Sequence, residues 1–391
     1  MKAAFVTNFV GYTGGDLVNI CMAQLLEEMG FQLELYLSRP HAFFEAVKCF
    51  DEQIGSRIKI YHIPNLLPSP YSEALTLSLI KKHKYSLLVL NDDLPKVVQK
   101  VRSERILLYV HFPHIARINY DKIAGDDIDG IRYIIGSEHI KTLRGKLKWM
   151  IHSKLFPRVF HHTFKDDRLI LIANSQLTAS ALKIIDPEDN ATVLYPPVQS
   201  RKIAQMSSHA YTERTGIVYA GRVIPEKGID ELIEAMAIVK KKGYNTVLNL
   251  VGPVSTTYKT WILRKASRKG ILGQVKLHGY VSRKQLFEMY LASQVYVHPN
   301  AWEPFGISVV EAMAAGCVPV VKRGLGGPWC EILGRKERLG FGYDDAMELA
   351  EKIILALGQK DRGNIVERAL QFDKSVFQRK LLDILVQKFS S

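Results

Sequence analysis

Short aliphatic and β-branched runs alternate with stretches of helical apolar spacing along the chain. Lys2–Thr7, Gln32–Leu37, Lys59–His62, Ser86–Leu90 and Ile106–Val110 predict strands. Between the first two, Leu17, Ile20, Leu25 and Met29 give Asp16–Met29 a helical apolar face. Leu169–Ala173 and Thr192–Tyr195 add two further strands. A second series runs through Gly216–Tyr219, Val247–Val251, Val275–Leu277, Val295–His298 and Cys317–Val321, with helices expected over Ile229–Lys242, Arg283–Leu291 and Ser308–Ala315. Strands alternating with helices of this length imply parallel sheets covered on both faces, twice over. Pro196-Pro197 and the polar stretch 199–215 read as a linker. The expected architecture is therefore α/β, with doubly wound domains over 1–198 and 216–391, the last helix packing back on the first domain. Such sheets bind ligands outside the carboxyl ends of their strands.

The 391 residues suit two domains of roughly 150–200 residues each. A composition of 47% apolar and 24% charged residues excludes a disordered chain, a fibre or a disulfide scaffold. The apolar run from Gly306 to Val321 is interrupted by Glu311 and falls short of the roughly 20 residues a membrane span needs. The first residues turn polar too soon for a secretory signal, and Cys21, Cys49, Cys317 and Cys330 form no C-x-x-C pair. A cytoplasmic protein is expected. The net charge of +14 is uneven: residues 1–198 hold 24 basic and 21 acidic side chains, residues 199–391 hold 29 and 18. Such a field attracts phosphates. With no zinc knuckle or RNP-type strand, no nucleic-acid partner is expected.

Two segments carry chemistry. Gly221-Arg222-Val223-Ile224-Pro225-Glu226-Lys227-Gly228 follows a predicted strand and opens a predicted helix. Its glycines permit close backbone approach, and an Arg fork beside a Lys point charge suits a diphosphate. By itself the loop reads equally well as an ordinary strand-to-helix turn. The second segment, Glu303 to Gly316, puts Gly306 just before a helix whose free N–H groups suit an anion or a hydroxyl. Glu303 and Glu311 are strong acceptors for hydroxyl-rich ligands, and Glu311 in an apolar helix is costly to bury without a partner.

The G-R-x-x-x-x-K-G loop and the E-P-F-G…E-A-M-A-A-G segment, with seven residues between its glutamates, resemble glycosyltransferase family 4. That family comprises retaining enzymes of the GT-B fold, two Rossmann-like domains facing each other across a cleft. The resemblance implies that Arg222 and Lys227 hold the donor diphosphate and that Glu303 contacts the donor sugar. Gly221 and the backbone of Phe305, Gly306 and Ile307 would line the donor, and Glu311 would bind the ribose. Gly14-Gly15 and His111 match, in the first half, a glycine pair near the donor and a histidine contacting the transferred sugar. By spacing alone they are also a tight turn and a structural histidine. Asn174 to Ala179, Leu194 to Pro197 and His111-Phe112-Pro113 are most similar to mannosyltransferases that extend lipid-linked oligosaccharide at the cytosolic membrane face. GDP-mannose and a lipid-linked acceptor are thus the expected substrates, with no cofactor. A UDP- or ADP-sugar with a soluble acceptor is the alternative. A basic nucleotide- or nucleic-acid-binding protein would explain the charge, but not the paired glutamates.

Three features remain. Asp127-Ile128-Asp129 has the form of a D-x-D metal motif but lies in an acidic loop, so it reads as a solvated turn and no metal is expected. Residues 139–165 hold seven Lys/Arg, four His and no acid, interleaved with apolar residues. They read either as a membrane-interface segment or as a helix with one wet basic face. Lys259 to Lys284 carries eight basic residues and no acid, a solvated helix face.

Overall fold

The computed structural model describes the chain apart from Asn8, Val10, Tyr12, residues 64–66, 68–69, 128–142, 162–165 and 208–213, Asp189 and Ser391, and apart from the side chains of 117, 118, 120 and 143–149. It divides into two compact units, Met1–Pro197 with Ser375–Ser391, and Val198–Lys374.

The first unit is built on seven parallel strands: β1 (Lys2–Val6), β2 (Gln32–Leu37), β3 (Ile58–His62), β4 (Lys84–Asn91), β5 (Arg102–Val110), β6 (Leu169–Ala173) and β7 (Thr192–Val193). Their order is β3-β2-β1-β4-β5-β6-β7, so the direction of winding reverses between β1 and β4. The period of two along each strand sends neighbours to opposite faces. Ala3 and Phe5 pack with α1 (Gly14–Glu28) and α2 (Pro40–Phe50), whereas Ala4 and Val6 join the cluster of α3 (Tyr71–Ile80). The second face is completed by Phe156 and Phe160, in and just after α4 (Leu143–Val159), and by Leu182 of α5 (Gln176–Ile185).

The second unit repeats the plan with six parallel strands: β8 (Ile217–Ala220), β9 (Leu248–Val251), β10 (Val275–Gly279), β11 (Val295–His298), β12 (Val318–Lys322) and β13 (Phe341–Tyr343). The order β10-β9-β8-β11-β12-β13 puts the reversal between β8 and β11, where Ile217 pairs with Val295 and Val218 with Tyr296. Its helices are α6 (Ser200–Ser207), α7 (Ile229–Lys241), α8 (Thr256–Arg268), α9 (Arg283–Ala292), α10 (Ile307–Ala314), α11 (Ala346–Gly358) and α12 (Gly363–Leu370).

Within stretch 199–215, expected as a linker, the described residues include a helix. Ser200–Ser207 forms α6, and Val198 bridges Asp373, donating its N–H to Phe372 O (3.1 Å) and accepting from Lys374 N–H (2.8 Å). The polar composition that suggested a linker belongs to a helix that buries only Ser200 and Ile203. β13 was not expected either: three residues give a periodicity argument nothing to count. Among the described residues no helix is long and apolar enough to cross a membrane. All four cysteines are free.

Chain-closing α13 (Lys374–Ser390) returns to the first unit, where Phe377, Leu381 and Leu385 enter the core beside Leu107 and Ile172. Leu381 is fully buried, so truncating it removes transfer energy and leaves a cavity. Leu381→Ala is expected to cost the first unit about 2–5 kcal/mol, read as an earlier transition in urea unfolding followed by a probe in that unit. A loss under about 1 kcal/mol would contradict this packing.

Candidate functional site

Both sheets place their motif residues at the carboxyl ends of the strands flanking the reversal. In the second unit these are the loop after β8, with Gly221, Arg222 and Lys227, and the loop after β11, with Glu303 to Gly306. The two loops pack directly on one another. Gly228 adopts φ 72°, and a Cβ there would stand 2.1 Å from Pro299 O, so only glycine permits this approach. Asn300 secures the contact, donating from Nδ2 to Glu226 O (3.1 Å) while its Oδ1 accepts from Trp302 N–H (2.7 Å).

Lys227 and Glu303, 76 residues apart in sequence, meet as an ion pair through Nζ and Oε2. Burial pushes the Glu303 carboxyl up, but Lys227 chiefly, then His298 and Arg222, more than offset this and hold it below its ordinary value. Arg222 is exposed and forms no side-chain hydrogen bond or ion pair among the described residues. Its backbone is fixed instead, its carbonyl accepting from Tyr219 Oη (2.9 Å). The loop therefore offers a positioned cation at its open edge.

Gly306, at φ 93°, turns the chain into α10 and leaves the first N–H groups, those of Ile307 and Ser308, without partners inside the helix. Phe305 turns inward, 2% exposed, with its ring 5.3 Å from that of Phe372. Glu311 is 2% exposed, and its partners answer the cost of burying it: Arg283 at 2.6 Å and Tyr290 Oη at 3.4 Å. Arg283 opens α9, and sequence reasoning did not connect it with Glu311, 28 residues away.

In the first unit, Gly14 and Gly15 begin α1 behind a capping box of Thr13 and Asp16. Asp16 Oδ2 accepts from the N–H groups of Gly11 (3.1 Å) and Thr13 (2.7 Å), so this acidic residue organises the glycine turn. A Cβ on Gly15 would lie 3.4 Å from His111 Nε2, which brings these two expected site residues together. His111 follows β5, and Asp92 Oδ1 accepts from its N–H (2.7 Å) and from that of Phe112 (3.2 Å). Asn91 Nδ2 lies 3.3 Å from His111 Nε2. An amide nitrogen is a donor, so Asn91 Nδ2 is placed to donate to Nε2. Asn91 and Asp92 were missed because nothing in the sequence pairs one strand end with the next.

Of the remaining features, Asp127 is described, while Ile128 and Asp129 lie outside the described residues, as do 139–142, 162–165 and the side chains of 143–149. Among the described residues no cluster of His, Cys, Asp and Glu has metal-binding form. The basic face expected near Lys259 to Lys284 is partly neutralised: Lys265 pairs with Asp230 and Glu234, and Lys269 with Glu234.

One further group stands beside Glu303. His298, the last residue of β11, is 4% exposed and stacks on Tyr296, with ring centroids 6.3 Å apart at 19°. Burial, aided by Lys227 and opposed by Glu303, lowers its pKa to about 4. An unfolded histidine takes up a proton near pH 6.5 and this one does not until about 4, so the unfolded state binds more protons in between. Stability is therefore expected to fall as pH drops across that window, by about 3 kcal/mol from this residue. Denaturant titrations of wild type and His298→Gln between pH 7 and 4 check this. The variant's curve should be flatter, and parallel curves would refute the assignment.

Residues 200–372 match the family Glycosyl transferases group 1. Among curated proteins, the chain is 24% identical over 331 residues to mannosylfructose-phosphate synthase of Agrobacterium fabrum, covering 79% of this chain and 71% of that protein. It is 26% identical over 279 residues to a GDP-Man:Man(3)GlcNAc(2)-PP-Dol alpha-1,2-mannosyltransferase of Dictyostelium discoideum, covering 66% and 54%. Among solved structures, Anabaena HepE in complex with UDP and glucose superposes with TM-score 0.65 at 19% identity, covering 99% of this chain and 100% of that one. The family match falls wholly within the second unit, the one that holds the Lys227–Glu303 pair. Residues 200–372 thus resemble the group 1 glycosyl transferases, within a chain whose two Rossmann-like units have the GT-B fold.

Proposed function

We propose that the protein transfers a sugar from a nucleoside diphosphate donor, bound by the second unit, to an acceptor bound by the first. The observation that carries this reading is the convergence of Arg222, Lys227, Glu303 and the start of α10 at the carboxyl ends of β8 and β11. Two cations and helix N–H groups suit a diphosphate, and a carboxylate beside them suits sugar hydroxyls. Glu311 binds the ribose, held in place by Arg283.

The donor's anomeric C–O bond to phosphate breaks, and a C–O bond to the acceptor hydroxyl forms on the same face, through an oxocarbenium-like state. The departing diphosphate takes the acceptor's proton, so no enzyme base is needed. Arg222, Lys227 and the helix terminus stabilise the charge that grows on the leaving group. His111, with its Nε2 beside Gly15, contacts the transferred sugar.

GDP-mannose and a lipid-linked acceptor are the favoured substrates, supported by the likeness to the Dictyostelium mannosyltransferase. The HepE complex with UDP supports a UDP-sugar as the alternative. A membrane-facing acceptor is supported by α4, where Met150, Ile151 and Leu155 are 47%, 54% and 39% exposed on the helix that also carries Lys154 and Arg158.

Each charge-assisted contact is worth about 1.5–3 kcal/mol. Arg222→Ala should therefore lower kcat/KM by roughly 10- to 150-fold with GDP-mannose or its UDP-sugar rival. The melting temperature should hold, since the side chain is exposed and makes no hydrogen bond or ion pair among the described residues. An unchanged rate would remove Arg222 from the site. Separately, the protein should sediment with vesicles containing anionic lipid at low salt, and an Ile151→Ser/Leu155→Ser variant should lose most of this binding. Equal sedimentation of the two proteins would refute α4 as the contact.

A further inference from the structure

Lys227 and Glu303 occupy one another in this structure, yet the proposed function gives them different parts of the donor. Lys227 is to hold the diphosphate and Glu303 the sugar hydroxyls. Both can serve only if their contact is exchanged for the donor. Glu303 would then be left as a partly buried carboxylate that has given up its cation.

One group stands ready to receive it. His298 Nε2 lies 4.0 Å from Glu303 Oε2, the oxygen that Lys227 holds. That nitrogen is buried and has no hydrogen-bond partner among the described residues. A ring with one polar atom left unsatisfied in the interior calls for an explanation. Nor is the ring free to turn away. It stacks on Tyr296, and its Nδ1 lies 3.5 Å from Tyr296 Oη, a hydroxyl able to donate to it and itself 2.7 Å from Ser308 Oγ in the first turn of α10. His298 is thus fixed on one side by the helix that meets the donor and faces Glu303 on the other.

We propose that His298 is a positioning residue for Glu303: when the donor diphosphate draws Lys227 away, the neutral imidazole donates its Nε2–H to the Glu303 carboxylate and holds it toward the sugar. The inference rests on the function proposed above. No proton or electron is transferred; a charged partner is replaced by a neutral donor. This difference has a chemical consequence. A second cation would keep Glu303 locked in an ion pair, whereas one neutral N–H orients the carboxylate and leaves its charge and other lone pairs for sugar hydroxyls. The burial that lowers the histidine's pKa keeps the ring neutral at physiological pH.

The test separates the sugar from the diphosphate. Affinities for GDP and GDP-mannose, and for UDP and UDP-glucose, are measured by calorimetry on wild type, His298→Phe, His298→Gln and Glu303→Gln, with kcat and KM for whichever donor turns over. His298→Phe keeps a stacking ring but has no N–H, while His298→Gln restores an N–H donor. His298→Phe should leave affinity for the bare nucleotide within about twofold. It should weaken the sugar nucleotide and lower kcat by roughly 10- to 100-fold, the range for a hydrogen bond to a charged group. His298→Gln should recover most of that loss. Glu303→Gln, which releases Lys227, should bind the bare nucleotide several-fold more tightly than wild type and the sugar nucleotide more weakly. If His298→Phe matches wild type with the sugar nucleotide, or weakens both ligands equally with no recovery in His298→Gln, the inference is overturned and the function stands. Wild type that binds none of the four ligands would overturn the function and this inference with it.

Discussion

A parallel strand can be followed by another in its sheet only through a crossover, and a doubly wound sheet sends its crossovers to opposite faces on either side of a single point. At that point the loops leaving two neighbouring strands diverge and expose the sheet's carboxyl edge. In this chain the points lie between β1 and β4 and between β8 and β11. Gly14-Gly15, Asn91, Asp92 and His111 gather around the first, and the Gly221–Gly228 loop, His298, Glu303 and Gly306 around the second. The cores exist to hold these edges open. β1 shows how little freedom that leaves, with Ala3, Ala4 and Phe5 all fully buried and each committed to one face of the sheet.

Charge in the second unit is arranged rather than merely abundant. Much of the basic excess is spent locally, as Lys265 and Lys269 are on α7 and Lys322 is on Glu231. Arg323 likewise sits among Glu337, Asp344 and Glu348, at 2.7–3.2 Å. The few cations whose position matters are those beside glycines: Arg222 at the open edge of its loop, and Lys227 one residue before a turn only glycine can make. The buried pair of Arg283 and Glu311 belongs to a third class, since breaking it would strand a charge in the interior.

The position of the strands was legible to within a few residues. Gln32–Leu37, Leu169–Ala173 and Val295–His298 form as expected, because each is a compact β-branched or aliphatic run with a polar or glycine flank. β5 begins at Arg102 rather than Ile106, its first residues being polar and drawn into the sheet by pairing with β4. The two chemical motifs were legible as well, since each is a local run of glycines and charges with a visible physical use. His298 was visible only as the end of a strand. A histidine after three apolar residues carries no sign of what its ring will face.

What the sequence by itself determined is whatever depends on neighbours along the chain: alternating elements, turns that require glycine, a helix that begins after Gly306, and an acidic residue that must find a partner. Which partner it finds is a property of the folded sheet. Lys227 and Glu303 are 76 residues apart, Arg283 and Glu311 are 28 apart, and Asn91 and His111 are 20 apart; each pair meets because parallel strands bring their carboxyl ends to one edge. Only tertiary structure assigned α6 to the second unit, because polar composition describes solvent exposure and not membership of a domain. The burial that strips His298 of its charge is likewise a collective property, set by every element packed around the end of β11.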